Sequence, residues 1–284
     1  MEEKATYRGG VFTDLDGTLL DSASRLSPGN AAALRAAGER GLVRVAVTGR
    51  SLYPALKVMD DSTPLDYLVA SSGVAVYRWP SRELLASWQV EAGAVGRGTR
   101  TLLEMGVDFK VFDPVPDNHF FAHWRAGGDN PDFDDRMRRY PDAGRPFDPA
   151  AAAGPAAQLL VISRPGDDIA ALHAELLARF ADFNVVRATS PLDHASMWFE
   201  FFPAGVSKGA GAEWLRRRLD LPTERCLAVG NDYNDLSLLK WCRHPYVVAN
   251  APADLRARFA VVAGHEDDGV ADALDKWFAG AEAP

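Results

Sequence analysis

The 284-residue chain has only two cysteines, Cys226 and Cys242, and they form no C-x-x-C pair. That suggests no disulfide framework. Both sit in apolar surroundings, RCLAV and LKWCR, which predicts buried free thiols. No apolar run approaches the 18 or more residues of a membrane span. The opening MEEKATYRGG lacks the apolar stretch of a secretory signal. Basic residues are also in the minority, 31 against 39 acidic, for a formal net charge of −8. A nucleic-acid partner usually leaves the opposite, basic footprint. These shortages predict a cytoplasmic protein with neither a membrane nor a nucleic-acid partner, whether monomer or homodimer. Any anion site must be built locally, from a few placed cations and backbone N–H groups.

What is present is ample apolar material: 47% hydrophobic residues beside 25% charged, the balance of a globular protein. At roughly 150 residues per domain, the length suits two domains. The first 75 residues alternate strand and helix. GGVFTD, LVRVAV and YLVASSG read as strands. Ser27-Pro28 opens a helix, serine as N-cap and proline at the first helical position, that stops at Gly41. SLYPALKVM reads as a short helix. Strands separated in this way imply parallel pairing through right-handed crossovers.

Residues 84–192 read differently, with Pro, Gly and Asp clustered in FDPVPDNHF and RAGGDNPDFDD. This stretch holds a strand QLLVIS, a helix opened by Asp167 or Asp168, and a strand FNVVRA. The first pattern then resumes with MWFEFF, GAGAEWLRRRL, CLAVGN, NDLSLLKWC, PYVVAN, FAVVAG and VADALDKWF. The predicted architecture is α/β. A Rossmann-like parallel sheet is formed by residues 1–83 and 193–284, and a smaller α/β unit is inserted at 84–192.

In an open parallel sheet, ligands gather at the carboxyl ends of the strands. Four polar signatures fall there or at the facing helix starts. These are Asp14 and Asp16 in DLDGT, Thr48-Gly49-Arg50, Lys208, and Asn231-Asp232-Tyr233-Asn234-Asp235. Two carboxylates one residue apart on a strand repel each other, so this is either an ordinary acidic turn or a place where a positive charge sits between them. A calcium loop is excluded, because DLDGTLLDSASR has glycine fourth and arginine twelfth, not glycine sixth and glutamate twelfth. GVSKGAG is not a P-loop, because Gly209 follows the lysine where Ser or Thr is required. Together the four signatures supply the parts of phosphoryl transfer through a covalent aspartate. They offer a carboxylate nucleophile, a second carboxylate to handle protons, and donors for the spread charge.

DLDGT, TGR, an insertion, GVSKG and GNDYNDLSLL, in that order, resemble the haloacid-dehalogenase-superfamily phosphatases of the Cof-like type. The closing VVANAPADLRARFAVVAG and DDGVADAL extend the likeness over nearly the whole chain. The resemblance implies a Mg²⁺-dependent phosphomonoester hydrolase acting on a sugar phosphate or similar small phosphorylated metabolite, with the insertion as a substrate-selecting cap. It implies Asp14 as nucleophile and Asp16 as general acid/base. Thr48, Gly49 and Asn234 would lie at the phosphoryl group, Arg50 beside it, and Lys208 between Asp14 and the phosphate. Asp14, Asp16 (through its backbone carbonyl), Asn231 and Asp235 would hold the metal.

The chain departs from the family at Asn231, where an aspartate is usual. The working hypothesis is that Asn231 still faces the metal while Asp235 supplies charge, with Asp232 as the rival ligand. Ser71-Ser72-Gly73 also stands where the family often has Asn-Gly. Within the insertion, His119, His123, Trp124 and Arg125, with Glu200 beyond it, are candidate substrate contacts. A sugar phosphomutase is the alternative activity, for which Arg136, Arg138 and Arg139 could hold a second phosphate. A non-catalytic phosphate-ligand sensor is the other.

Overall fold

A computed structural model describes residues 7–190 and 196–280. The chain forms two compact units, Met1–Ala86 with Ser207–Pro284, and Ser87–Val206. In chain order the first passage contributes β1 (Gly9–Thr13), α1 (Pro28–Glu39), β2 (Leu42–Val47), α2 (Leu52–Ala55), β3 (Tyr67–Ala70), β4 (Ala75–Arg78) and β5 (Leu84–Ser87). The second unit follows with α3 (Ala92–Met105), β6 (Phe109–Phe112), β7 (Phe121–Trp124), α4 (Pro131–Arg139) and β8 (Gly144–Pro146). It continues through β9 (Gln158–Ile162), α5 (Ile169–Arg179), β10 (Phe183–Thr189) and β11 (Met197–Pro203). The chain then supplies α6 (Lys208–Arg218), β12 (Cys226–Gly230), α7 (Leu236–Trp241), β13 (His244–Val248), α8 (Ala253–Arg256), β14 (Ala260–Val262) and α9 (Gly269–Ala279).

The first sheet runs β14-β13-β12-β1-β2-β3-β4-β5. It is parallel from β14 to β3, and β4 turns back antiparallel on β3. The central parallel strands β12, β1, β2 and β3 are buried on both faces, so their sequences are nearly unbroken apolar runs. Val11, Phe12, Val45, Leu68, Leu227 and Val229 are wholly buried. Each such side chain contributes about 1.5–3 kcal/mol. The helix predicted at Ser27-Pro28 forms as read, with the Ser27 hydroxyl accepting from the Asn30 N–H at 3.1 Å. Both cysteines are free and buried, and burial pushes the Cys226 thiol up to about 12.

The second sheet runs β10-β11-β9-β6-β7-β8 and is largely antiparallel. Two boundaries read from sequence are corrected here. The strand MWFEFF belongs to this second sheet rather than to the first. It is β11, and it pairs antiparallel with β10 along seven residues and with β9 along four. An apolar strand buried on both faces looks the same in either sheet, and only its ladder partners decide membership. The predicted division at 192–193 lies outside the described residues, and the second unit extends to Val206. At the other end the first unit keeps β4 and most of β5, so the division falls at 86–87 rather than 83–84.

One face of the second sheet packs Phe109, Leu159, Val161, Phe199 and Phe201 against Leu102 of α3 and Leu176 of α5. On β6, Lys110 is completely buried, with its ammonium 4.2 Å from the Phe133 ring centre and 4.8 Å from that of Phe121. Its amine has no hydrogen-bond partner. Burial, reinforced by Arg136, lowers its pKa to about 6. The unfolded chain therefore holds a proton that the folded one has released between about pH 6 and 10.5. Stability should rise with pH across that window, by at most about 1.4 kcal/mol per pH unit. Lys110→Met should flatten this dependence, as read from urea unfolding between pH 6 and 9. Parallel pH profiles for the two proteins would refute the assignment.

Candidate active site

The predicted signatures converge at the carboxyl ends of β1, β2 and β12, within the first unit. Asp14 directly follows β1 and is 4% exposed. Its backbone N–H donates to Val229 O at 3.0 Å, which locks the chain beyond β1 to β12. Lys208 is the first residue of α6, whose start is fixed by the Ser207 hydroxyl accepting from the Ala210 N–H at 3.1 Å. That cap aims a long cationic side chain inward. The ammonium donates to Asp14 Oδ1 at 2.7 Å, to Asp235 Oδ1 at 2.6 Å and to Asn234 Oδ1 at 3.5 Å.

Three buried charges therefore form a row, Asp14–Lys208–Asp235, with one excess negative charge. Burial would lower the pKa of Lys208, but its two carboxylate neighbours outweigh that and hold it charged. The excess appears at Asp14. Burial first, then Asp235 and Asp16, push its carboxyl up to about 7 against the opposing pull of Lys208. A carboxylate so placed invites a further cation.

Asp235 is wholly buried and its second oxygen is also committed. Oδ2 accepts the N–H groups of Asn231 at 2.8 Å and Asp232 at 3.1 Å. The Asp232 side chain in turn caps the short turn at Tyr233–Asp235 by accepting the Asp235 N–H. Both aspartates thus shape the loop after β12, and Asp235 has one oxygen engaged by that loop and the other by Lys208. The spacing of this motif revealed its presence, but not that Asp235 stands behind the lysine.

Thr48 is wholly buried beyond β2, and its hydroxyl accepts the Arg50 N–H at 3.0 Å. Gly49 lies between them, near Ser72 and Asn234. Arg50, read from sequence as lying beside the phosphate, makes a two-pronged ion pair with Asp16. Its Nε donates to Oδ2 at 2.7 Å and its Nη2 to Oδ1 at 2.6 Å. A guanidinium fork of this kind fixes the orientation of a carboxylate. Gly17 has φ +69°, and a side chain there would meet Asn231 Nδ2 at 2.6 Å. Glycine is needed so that the DLDGT turn can close against residue 231.

The candidates of the second unit are engaged internally. Arg125 pairs with Asp134 and donates to Gly128 O at 2.7 Å. His123 packs its ring edge-to-face near Phe121 and Phe133, and burial lowers its pKa. Glu200 is buried and accepts from Gln158 Nε2 at 3.2 Å. Arg138 and Arg139 both pair with Asp135, and Arg136 stacks 4.8 Å over Trp198.

A family model described as haloacid dehalogenase-like hydrolase matches residues 11–274. The chain belongs to the haloacid dehalogenase-like hydrolases. It is an enzyme of that family's phosphatase branch. It is 27% identical over 282 residues to an HMP-PP phosphatase of Serratia proteamaculans, covering 95% of each chain. It is 25% identical over 318 residues to the 5-amino-6-(5-phospho-D-ribitylamino)uracil phosphatase of Bacillus subtilis, covering 95% of this hydrolase and 98% of that one. Its fold matches that of a subclass IIB sugar phosphatase, with a TM-score of 0.73 at 19% identity over 95% and 98% of the two chains.

Members of this family generally use Mg²⁺. Among the described residues of this hydrolase, no cluster of three or more His, Cys, Asp or Glu side chains is arranged to hold a metal ion. Of the four metal ligands expected from the sequence, Asp235 has both oxygens engaged by Lys208 and the loop, and the other three offer hard oxygens: the carboxylate of Asp14, the main-chain carbonyl of Asp16 and the amide oxygen of Asn231. Mg²⁺ prefers such a set, taking few protein ligands and keeping several waters. The unbalanced charge at Asp14 also fits a cation there. No helix among the described residues is long and apolar enough to cross a membrane.

Proposed function

We propose that this hydrolase is a Mg²⁺-dependent phosphatase that releases phosphate from a small phosphomonoester by way of an aspartyl-phosphate at Asp14. The observation that carries the reading is the buried contact of Asp14 with Lys208 at 2.7 Å, with Asp16 two residues on. Asp14 is held against a cation that leaves its second oxygen available to attack phosphorus. Asp16, half-exposed, would protonate the leaving oxygen and then take a proton from the water that cleaves the acyl phosphate. Thr48, the Gly49 N–H, Asn234 and Lys208 would hold the phosphoryl oxygens as charge spreads onto them. Mg²⁺, held by Asp14, the Asp16 carbonyl and Asn231, would supply the positive charge that offsets the paired carboxylates and the phosphate.

The named activities of the relatives support a phosphorylated metabolite as substrate, a sugar phosphate or a heterocyclic or polyol monophosphate. Phosphate release from a single monophosphate without a bisphosphate activator separates this reading from the phosphomutase alternative. Phosphate release from a panel of phosphomonoesters with Mg²⁺ tests the reading. Release from none of them would refute it.

Asn231 offers a separate test. Asn231→Asp adds a charge at nearly constant shape, and ligand charge count sets affinity at such sites. Mg²⁺ should bind about tenfold more tightly, as measured by calorimetry without substrate. Unchanged affinity would remove Asn231 from the metal.

A further inference from the structure

The turn that joins β3 to β4 is built from residues poorly suited to its backbone. Ser71 and Ser72 both have left-handed dihedrals, φ 49° and φ 54°, which non-glycine residues rarely adopt. Gly73 follows with φ +103°, and a side chain there would meet Ser207 O at 2.2 Å. The turn is tied down on its other side as well. The Ser71 N–H donates to Arg50 O at 2.8 Å and the Ser72 N–H to Thr48 O at 2.9 Å. Ser71–Gly73 is thus wedged between the Thr48–Arg50 loop and the start of the lysine-bearing helix α6. Strain of this kind persists only where the surroundings over-determine it, and it concentrates at functional sites.

The side chain of Ser72 gives the strain a purpose. Ser72 is 1% exposed, and its hydroxyl has no hydrogen-bond partner within the protein. A buried hydroxyl left unpaired is costly. The same oxygen lies 3.6 Å from the point where a Cβ on Gly49 would stand, and Asn234 Nδ2 lies 3.8 Å from that point. Gly49 has no left-handed φ, and no protein atom closer than 3.6 Å would oppose a Cβ there. Its missing side chain therefore serves space, not backbone freedom. That space is bordered by a hydroxyl and an amide, and by the residue whose N–H is assigned to the phosphoryl group.

We propose that the Ser72 hydroxyl is a further donor to the phosphoryl group, completing with the Gly49 N–H and Asn234 the cradle beside Gly49. The inference rests on the phosphatase reading, but it adds a contact that neither the DLDGT nor the TGR motif contains. Ser72 would donate its O–H to an equatorial phosphoryl oxygen, and so find the partner it lacks. The left-handed backbone is what turns that hydroxyl toward Gly49.

The test is the binding of inorganic phosphate to the Mg²⁺-loaded protein by calorimetry, with thermal unfolding in parallel. Ser72→Gly removes the hydroxyl while suiting the backbone, so its Tm should match or exceed that of the parent. Its phosphate affinity should fall roughly tenfold, the loss of one hydrogen bond to a charged group. Gly49→Ala should fold equally well and also bind phosphate more weakly, because its Cβ fills the cradle. Parental phosphate affinity in Ser72→Gly would overturn the inference while leaving the phosphatase reading intact. A lower Tm with unchanged phosphate affinity would also overturn it, and would assign Ser72 to the turn alone. If the parent protein binds no phosphate, the inference and the phosphatase reading fall together.

Discussion

Asp14→Asn is expected to reduce phosphate release by roughly three orders of magnitude or more, as loss of a nucleophile does elsewhere, without destabilising the fold at neutral pH. The first effect follows because an amide cannot form the acyl phosphate. The second follows from the charge count of the buried row. Asp14 and Asp235 share the one cation of Lys208, and the carboxyl of Asp14 is displaced upward from 3.8 to about 7. A group whose folded pKa is raised adds stability below its unfolded pKa and loses it as pH rises through the folded value. In the absence of a divalent cation, the parent protein should therefore lose stability between about pH 4 and pH 7. Asparagine, which cannot ionise, should escape that loss. Thermal unfolding of both proteins at pH 5 and pH 8, in a chelating buffer, compares them directly. The variant should gain on the parent at the higher pH. A variant less stable than the parent at pH 8 would show that the triad carries no excess charge.

Lys208→Met should have the opposite effect on stability and a comparable one on activity. The ammonium is 1% exposed and holds two buried carboxylates at 2.6 and 2.7 Å. Removing one partner of a buried ionic group leaves uncompensated charge and costs about 3–5 kcal/mol. Here two carboxylates are left facing each other, so urea unfolding at pH 7.5 should show a loss in that range. The loss should shrink near pH 5, where protonation relieves the repulsion. Turnover should fall at least about 100-fold, because the phosphoryl group loses a fixed cation. Combining Lys208→Met with Asp14→Asn should recover part of the stability, since the two residues share one interaction. Simple addition of the two effects would argue that Lys208 acts on the fold independently of Asp14.

Several elements were legible in the sequence because their determinants are local. The strand Leu42–Val47 has the limits read from LVRVAV, since an apolar run between Gly41 and Thr48 leaves little choice. The helix at Pro28 begins where serine and proline place it. The order of DLDGT, TGR, the lysine and the Asn-Asp loop implied one site, because each motif ends a strand or opens a helix of the same sheet. Less legible was anything that depends on a partner distant in the chain. MWFEFF has the composition of a core strand in either sheet, and only its pairing with β10 and β9 assigns it to the second. The same limit applied to the turn at Ser71–Gly73, where nothing local announces that two serines adopt left-handed backbone.

The sequence by itself determined the α/β class, the family, and which residue types stand at the strand ends, for these follow from periodicity, capping chemistry and motif order. The tertiary structure alone decided how their charges are shared. It placed Asp235 behind Lys208 with both oxygens occupied, gave Arg50 to Asp16, and left the Ser72 hydroxyl unpaired beside Gly49. The physical reason is one of range. Backbone preference and apolar pattern act over a few residues, whereas a buried charge is settled by whichever opposite charges the packed fold brings within about 3 Å of it.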